Sequence, residues 1–186
     1  LSKTRKAIEF YEQALAINQE VGDGKGENRT LQSLGIAHEG LGDFEKAVEY
    51  YERALVISRE TEDKQSNGYA LSNLGNAYVK LGNTTKANHY YKEALVIHEE
   101  LGDRYGEGVD LTGLGNAYAD LGNVQKAMEI YGQVLSIYQE INYRGGEAIT
   151  VSNLGRAYFD LDDSAKAIEF YEQALIIDRE IGNRRG

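Results

Sequence analysis

A 40-residue repeat runs along the whole chain and limits its possible folds more than any other feature. The segment LSNLGNAYVKLGNTTKANHYYKEAL, which begins at Leu71, aligns without a gap with the segment that begins at Leu111, and 13 of the 25 positions are identical. Four periods apart, IEFYEQALAINQE at Ile8 and IEFYEQALIIDRE at Ile168 share 10 of 13 residues. Self-similarity of this kind is typical of arrays in which each small unit stacks on the next.

Each repeat is predicted to form two amphipathic helices. In the first complete repeat, core-forming residues recur at i, i+3, i+4 and i+7 along residues 27–40 and again along residues 44–60, and this spacing places them on one face of a helix. A glycine between the two helices can adopt the left-handed conformation that ends a helix, at Gly42, Gly82 and Gly122. The Asp or Asn that follows can cap the next helix. Asp162 replaces the glycine in the last repeat.

The repeat frame divides the chain into one incomplete and four complete repeats. Residues 1–22 match only the second helix of a repeat, and complete repeats occupy 23–62, 63–102, 103–142 and 143–186. We therefore expect a single array, 1–186, of nine helices, and the absence of proline leaves them uninterrupted. Residues 183–186 match the start of a further repeat, and neither end resembles a polar cap. We expect an excerpt from a longer array, or a chain that stacks end to end.

The repeat resembles the tetratricopeptide repeat family. The matching pattern is Leu71-x2-Leu74-Gly75-x2-Tyr78, followed by Ala87-x3-Tyr91 and Ala94. The period exceeds the usual 34 residues, the closing proline is missing, and we expect the six extra residues to lengthen the helices on either side of the repeat boundary. The period and the LGNAY and GEG motifs are most similar to Partner-of-Inscuteable-type adaptors and kinesin light chains. The resemblance implies an all-α, right-handed solenoid of antiparallel helix pairs whose concave groove binds peptide segments of other proteins.

Small residues recur where two helices of a repeat should meet. Glycine at positions 35, 75, 115 and 155 lies inside the first helix, where it costs about 1 kcal/mol relative to alanine. We expect a close approach of two helix backbones to offset that cost, made possible by alanine at positions 47, 87, 127 and 167. The tyrosines at positions 11, 51, 91, 131 and 171 fall on the apolar stripe of the second helix and are predicted to lie in the core.

A helical wheel predicts which face of the first helix would hold a partner. At 100° per residue, residues 31, 34, 37, 38 and 41 face the second helix, and residues 29, 32, 33, 36, 39 and 40 face away. In the family the latter face lines the groove. The candidate binding residues are Arg29, Gln32, Ile36, Tyr69, Ser72, Asn73, Asn76, Lys80, Val109, Thr112, Asn116, Ile149, Asn153, Arg156 and Phe159, beside Ser33, Glu39, Val79, Asp120, Ser152 and Asp160. Acidic and basic residues are equal in number on this face. Its residue types vary between repeats, which is expected of a surface that recognises an irregular ligand and equally of a surface without functional constraint.

Three kinds of contact are expected from these residues. The carboxamides of Asn76, Asn116 and Asn153 can donate to and accept from a peptide backbone. Arg156 and Lys80 can pair with acidic groups, and the large apolar residues can anchor a partner. The lysine-rich clamp of chaperone-binding relatives is not expected, because Gln32, Ser72 and Thr112 occupy its positions.

No catalytic, cofactor or metal site is predicted. His38 occupies the core slot of Tyr78, and His89 and His98 have no carboxylates at metal-ligand spacing. The aspartates of residues 160–163 match the helix-capping turn of the other repeats, and the glycines of residues 22–26 lack the GK[ST] ending of a phosphate-binding loop. No nucleophile–base pair is present, so we expect a protein that is not an enzyme.

Composition restricts the setting and the partners. The chain has no cysteine, no apolar run of membrane-spanning length, and a net charge of −10, which disfavour disulfides, membrane insertion and a nucleic-acid interface. We expect a cytoplasmic scaffold that binds a protein or peptide. The alternatives are a self-associating structural array and the regulatory module of a larger signalling enzyme.

Overall fold

The protein is helical throughout the part that the structure, a computed structural model, describes, which is residues 2–184. The nine helices of that part are α1 (Ser2–Val21), α2 (Gly24–Glu39), α3 (Phe44–Glu60), α4 (Lys64–Lys80), α5 (Thr84–Leu101), α6 (Arg104–Asp120), α7 (Val124–Glu140), α8 (Arg144–Asp160) and α9 (Ser164–Arg184). Side chains are described for residues 3–182. The all-α class and the number of helices are confirmed. A further repeat was expected to begin at residues 183–186. Residues 183 and 184 instead continue α9, and residues 185 and 186 lie outside the described part.

The turns inside the repeats form as the sequence predicts. Gly42, Gly82 and Gly122 have φ angles of +80°, +72° and +77°, and Asp162 has +60°. The side chain of Asp43 accepts a hydrogen bond from the backbone N–H of Lys46 at 3.3 Å, so it caps α3. Left-handed turn residues and capping side chains act locally, which is why the sequence reveals them.

The first helix of each repeat begins earlier than the wheel pattern indicates. α2 begins at Gly24, not near residue 27, and the side chain of Asp23 accepts a hydrogen bond from the N–H of Gly26 at 3.0 Å. Asp63 and Asp103 cap α4 and α6 in the same way. These caps extend the first helix by nearly one turn, so part of the six extra residues lengthens this helix as expected.

The helices divide between Leu101 and Gly102 into two compact halves, the N-terminal half (α1–α5) and the C-terminal half (α6–α9). Within the N-terminal half, Asn28 near the start of α2 bonds to the carbonyl of Ala54 late in α3, and His38 near the end of α2 approaches Asp43 just before α3. The pair is therefore antiparallel. Contacts join α2 to α4, and α6 to α8, whereas among the described residues no contact joins α3 to α5 or α7 to α9. First helices thus lie side by side, closer than second helices.

Tyrosine rings fill most of the space opposite the glycines of the first helix. A Cβ atom added to Gly35 would lie 2.3 Å from the ring of Tyr51, and one added to Gly75 would lie 2.6 Å from the ring of Tyr91. The missing side chain therefore makes room for an aromatic ring from the second helix, and only at Gly155 would the added Cβ also lie close to backbone, 3.3 Å from the carbonyl oxygen of Ala167.

The predicted tyrosine core holds for three of the five tyrosines. Tyr51, Tyr91 and Tyr131 are at most 3% exposed, whereas Tyr11 on α1 and Tyr171 on α9 are 37% and 39% exposed. For these last two the prediction was wrong, because among the described residues α1 has no helix before it and α9 has none after it.

A recurring ion pair spans each of three repeats. Lys64 pairs with Glu100 at 2.7 Å, Arg104 pairs with Glu140 at 2.7 Å, and Arg144 pairs with Glu180. Each pair joins the start of a first helix to the end of the second helix beside it. Water reaches the charged groups of all three pairs, so the pairs orient the helices more than they stabilise them.

Candidate partner-binding surface

The candidate residues lie on the side of the first helices that faces away from the second helices, which we term the inner face. In the N-terminal half it belongs to α2 and α4, and in the C-terminal half to α6 and α8. Among the 15 main candidates, the exposed residues are Arg29, Ile36, Asn76, Lys80, Asn116, Ile149, Arg156 and Phe159; the half-buried ones are Gln32, Tyr69, Asn73, Val109, Thr112 and Asn153; the buried one is Ser72. The wheel therefore separates inner from core residues with one exception.

Ser72 is that exception, and its inclusion among accessible residues was wrong. Its side chain is 4% exposed, and its hydroxyl donates a hydrogen bond of 3.1 Å to the carbonyl of Gly68 on the same helix. Thr112 bonds in the same way to the carbonyl of Gly108 at 2.7 Å. Hydroxyls in a helix commonly bond to the carbonyl one turn earlier, and both hydroxyls do so here.

Two inner-face asparagines are held in place by core tyrosines. The hydroxyl of Tyr91 donates to Oδ1 of Asn76 at 2.7 Å, and the hydroxyl of Tyr131 donates to Oδ1 of Asn116 at 2.7 Å. The expectation that these carboxamides would offer both an acceptor and donors needs correction, because the oxygen is already bonded. The amide N–H groups remain as donors, and the hydrogen bond from the core tyrosine fixes the orientation of each exposed side chain.

The same position breaks this pattern in the first repeat. Ile36 replaces the asparagine and is 57% exposed. The buried hydroxyl of Tyr51 beneath it makes no hydrogen bond of ordinary geometry among the described residues and lies near the carboxylate of Glu39. Burial, together with the nearby Glu39 carboxylate, raises the pKa of Tyr51. At this one position the inner face therefore changes from a carboxamide in the second repeat to an apolar side chain in the first.

A cavity of about 440 Å³ opens on the inner face of the N-terminal half, between α2 and α4. Its lining residues are Lys25, Arg29, Gln32, Ser33, Ile36, Asp63, Ser66 and Tyr69. Five of these eight were predicted from the wheel; Lys25, Asp63 and Ser66 were missed. These three residues lie before the position at which the apolar pattern predicted the first helix to begin. The aspartate that caps each first helix is the sequence signal that could have revealed them.

Polar contacts bind the two helices together below this cavity. The side chain of Gln32 donates to Oδ1 of Asn28 at 2.7 Å, and Nδ2 of Asn73 on α4 lies 3.5 Å from Oε1 of Gln32. Asn28 in turn donates to the carbonyl of Ala54 at 2.6 Å. Gln32 and Asn73 therefore form a half-buried link between the first helices.

The carboxylates around the cavity are occupied by contacts within the protein. Asp63 accepts from the backbone N–H and the hydroxyl of Ser66 at 3.1 and 3.0 Å, and these bonds, more than the nearby charge of Lys25, keep its pKa below the ordinary value. Glu39, farther along α2, is half-buried; burial raises its pKa, and the Tyr51 hydroxyl and then the charge of Lys80 oppose that shift.

The inner face of the C-terminal half combines exposed apolar side chains with a charged cluster. Ile149 and Phe159 are 56% and 60% exposed. Arg156 lies 3.6 Å from Asp120 and 3.9 Å from Asp160. Burial raises the pKa of Tyr131 beneath this cluster to about 12, with Arg156 opposing the shift. Asn153 donates to Oδ1 of Asn116 at 3.3 Å and so links α8 to α6.

Two of the residues considered for other chemistry, His38 and Asp163, have structural roles. His38 is 5% exposed and stacks on Tyr50, as predicted for the slot of Tyr78. Asp163 caps α9 by accepting from the N–H of Lys166 at 3.2 Å. Within residues 2–184, no three His, Cys, Asp or Glu side chains are grouped so that they could hold a metal ion. None of the described helices is both long and apolar enough to cross a membrane.

The paired helices, their side-by-side first helices and the accessible inner face define a helical-repeat scaffold. The sequence profile of the Tetratricopeptide repeat family matches residues 1–60, 66–140 and 111–180. The chain belongs to the tetratricopeptide repeat family. Proteins of this family are generally interaction scaffolds without catalytic activity.

Solved structures show the same fold. BtubC from P. vanneervenii is 26% identical, with 97% of this chain and 75% of that chain covered and a TM-score of 0.85. A Podosopora anserina protein described as a kinesin light chain with nearly identical TPR-like repeats is 22% identical over 97% of this chain and 89% of its own, with a TM-score of 0.74. Aspartyl phosphate phosphatase F from Bacillus subtilis is 15% identical, covers 95% and 46%, and has a TM-score of 0.86. The last two similarities concern the fold alone. No curated protein matches the sequence significantly.

Proposed function

We propose that this protein is a non-catalytic interaction module that holds an extended segment or a helix of a partner protein against its inner face. The observation that carries the proposal is the pair of anchored carboxamides, Asn76 and Asn116. Each is exposed, and each is oriented by a hydrogen bond from a core tyrosine. A donor that is already fixed loses little side-chain entropy on binding, which favours its use in recognition.

The surroundings of these asparagines support the same function. Apolar side chains lie exposed on the inner face of both halves, as at Ile36 and Phe159, and such residues are the usual anchors of a protein interface. Amide donors can bond to peptide carbonyls whatever the partner's side chains are, so the apolar residues and charges would supply the sequence preference.

The test uses peptides selected from a displayed random 12-residue library by the full chain. Asn76→Asp and Asn116→Asp keep an oxygen that accepts from the tyrosine but replace the N–H donors with a carboxylate. We expect each substitution to weaken binding of the selected peptides about five- to tenfold in fluorescence anisotropy, because the side-chain amide donor to the peptide is lost. Gln13→Glu, which adds the same charge on exposed α1, is the matched control and should leave affinity unchanged.

Two results of this selection would contradict binding at the inner face. If no peptide is enriched, or if the enriched peptides bind both Asp variants as tightly as the parent chain, the inner face is not a binding surface. Thermal unfolding followed by circular dichroism must show the same midpoint for all variants, so that a loss of affinity reports on the surface.

A second candidate function, self-association, is favoured by one comparison. Ile8 and Leu15 on α1 are 9% and 8% exposed, whereas the matching Ile168 and Leu175 on α9 are 58% and 54% exposed. The apolar face that α2 covers on α1 is thus open on α9 and could stack on a second copy. Light scattering over a concentration series tests this: a mass that grows with concentration supports stacking, and a constant monomer mass contradicts it.

A further inference from the structure

We infer that the cavity between α2 and α4 selects a partner segment in which an acidic side chain lies about three residues from a large apolar one. This inference rests on the proposed function, since it names the chemistry of the segment that the inner face would bind. It concerns the N-terminal half alone.

The first observation is a pair of cations without a carboxylate partner. Lys25 and Arg29 line the cavity, and among the described residues no Asp or Glu oxygen lies within the 4.0 Å of an ion pair from either side chain. Arg59 and Arg156, by contrast, each have such a neighbour. The lining therefore carries two cations, Lys25 and Arg29, and one carboxylate, Asp63, whose charge interacts with that of Lys25 without an ion-pair contact.

The second observation concerns the carboxylate of the cavity itself. Asp63 caps α4 and accepts two hydrogen bonds from Ser66. Its oxygens are directed to the start of the helix and stabilise the free N–H groups there. The accessible charge at the mouth of the cavity is thus that of Lys25 and Arg29, in a chain whose net charge is −10.

The third observation is the apolar end of the cavity. Ile36 is 57% exposed and Tyr69 is half-buried, and both line the cavity together with Arg29. Arg29 and Ile36 lie seven residues apart on one helix, which corresponds to about 10.5 Å along its axis. An extended peptide advances about 3.3 Å per residue, so a carboxylate at Arg29 and an apolar side chain at Ile36 would be separated by about three residues.

The preference for an acidic segment follows from the difference between local and total charge. The net negative charge of the protein repels acidic chains in general, whereas the unpaired cations at this cavity favour a carboxylate at one place. Complementary charges of this kind determine register and partner choice more than affinity. A basic segment would place its charge against Lys25 and Arg29 and would be rejected here.

The experiment repeats the library selection with the full chain and with the variants Arg29→Glu and Lys25→Glu. Peptides selected by the parent chain should be enriched in Asp or Glu two to four positions from a Leu, Ile, Phe or similar residue. We expect Arg29→Glu to weaken binding of these peptides at least fivefold. A peptide in which the acidic residue is replaced by lysine should bind the Arg29→Glu variant more tightly than the original peptide does. The same lysine peptide should bind the parent chain more weakly than the original peptide does. Ile36→Ser should abolish the enrichment of the apolar residue.

Arg5→Glu is the matched control, because Arg5 is exposed on α1 in the same half and the charge change is identical. It should alter the affinity by less than twofold. The acidic preference is wrong if Arg29→Glu behaves like Arg5→Glu, or if the lysine-containing peptide does not regain affinity for Arg29→Glu. The proposed function still stands in that case when Asn76→Asp weakens binding. If neither Arg29→Glu nor Asn76→Asp changes the affinity, the inner face itself is not the binding surface.

Discussion

The hydroxyl of Tyr131 donates a hydrogen bond of 2.7 Å to Oδ1 of Asn116, and so connects the core side of α7 to the exposed inner face of α6. Tyr91 and Asn76 form the same bond in the N-terminal half. In the first repeat Ile36 stands at the asparagine position, and the buried hydroxyl of Tyr51 lies near the Glu39 carboxylate without a hydrogen bond of ordinary geometry to any described residue. One substitution on the surface therefore changes the environment of a core residue.

This difference predicts opposite effects of the same substitution. Tyr131→Phe removes a satisfied hydrogen bond and should lower the free energy of unfolding by about 0.5–1.5 kcal/mol. Tyr51→Phe removes a buried hydroxyl that lies near Glu39 but makes no hydrogen bond of ordinary geometry within the described part of the chain, and it should leave the free energy of unfolding unchanged or slightly higher. Urea unfolding of the two variants checks this, and an equal loss in both would show that the Tyr51 hydroxyl is bonded in solution.

The raised pKa of Tyr131 predicts a loss of stability at alkaline pH. An unfolded tyrosine ionises near pH 10, whereas burial keeps Tyr131 protonated in the folded state up to about pH 12. Above pH 10 the unfolded state releases this proton and the folded state does not, so the free energy of unfolding falls as the pH rises from 10 to 12.

Tyr131→Phe should make this alkaline decline shallower, because one titrating group is removed. Urea midpoints at pH 9, 10.5 and 11.5 would measure the effect. The other buried tyrosines still titrate, so the decline should be reduced and not abolished. An identical pH profile in the variant and the parent would mean that Tyr131 ionises at its ordinary pH in the folded protein.

The space around two helical glycines predicts opposite effects of alanine. A Cβ at Gly115 would lie 2.6 Å from the ring of Tyr131, whereas a Cβ at Gly132 meets nothing within 4 Å. Gly132→Ala should raise the free energy of unfolding by about 1 kcal/mol through helix propensity. Gly115→Ala gains the same propensity, but overpacking costs about 1–3 kcal/mol, so we expect no gain or a net loss. Denaturant unfolding distinguishes the two, and a stabilised Gly115→Ala would show that the ring can move away.

Two leucines at matching positions of nearly identical helices should differ in their response to truncation. Leu15 on α1 is 8% exposed, and Leu175 on α9 is 54% exposed. Leu15→Ala should lower the free energy of unfolding by about 2 kcal/mol or more, as buried leucines do. Leu175→Ala should change it by about 0.5 kcal/mol or less, as surface residues do. Thermal unfolding at low protein concentration measures both; a large loss for Leu175→Ala would indicate that α9 is covered in solution.

Sequence reasoning located the accessible inner face but described its chemistry incompletely. The wheel placed Ile36, Asn76, Asn116 and Arg156 at one surface position, and all four are exposed. It could not show that a tyrosine 15 residues away engages the oxygen of Asn76. It also counted Ser72 as accessible, although only 4% of this residue is exposed. Periodicity assigns a residue to a side of its helix, but not the depth to which adjacent helices bury it.

The sequence by itself determined the repeat, the family, the helices and the turns within each repeat. These depend on signals that act over a few residues, namely amphipathic spacing, left-handed glycines and capping side chains, and the 40-residue period repeats each signal along the chain. Only the tertiary structure decided that the glycines of the first helix accommodate tyrosine rings, that Leu15 is buried while Leu175 is exposed, and that a cavity forms beside Lys25 and Arg29. The physical reason is that burial and pairing depend on which helix lies alongside, and near-identical segments such as α1 and α9 have different neighbours.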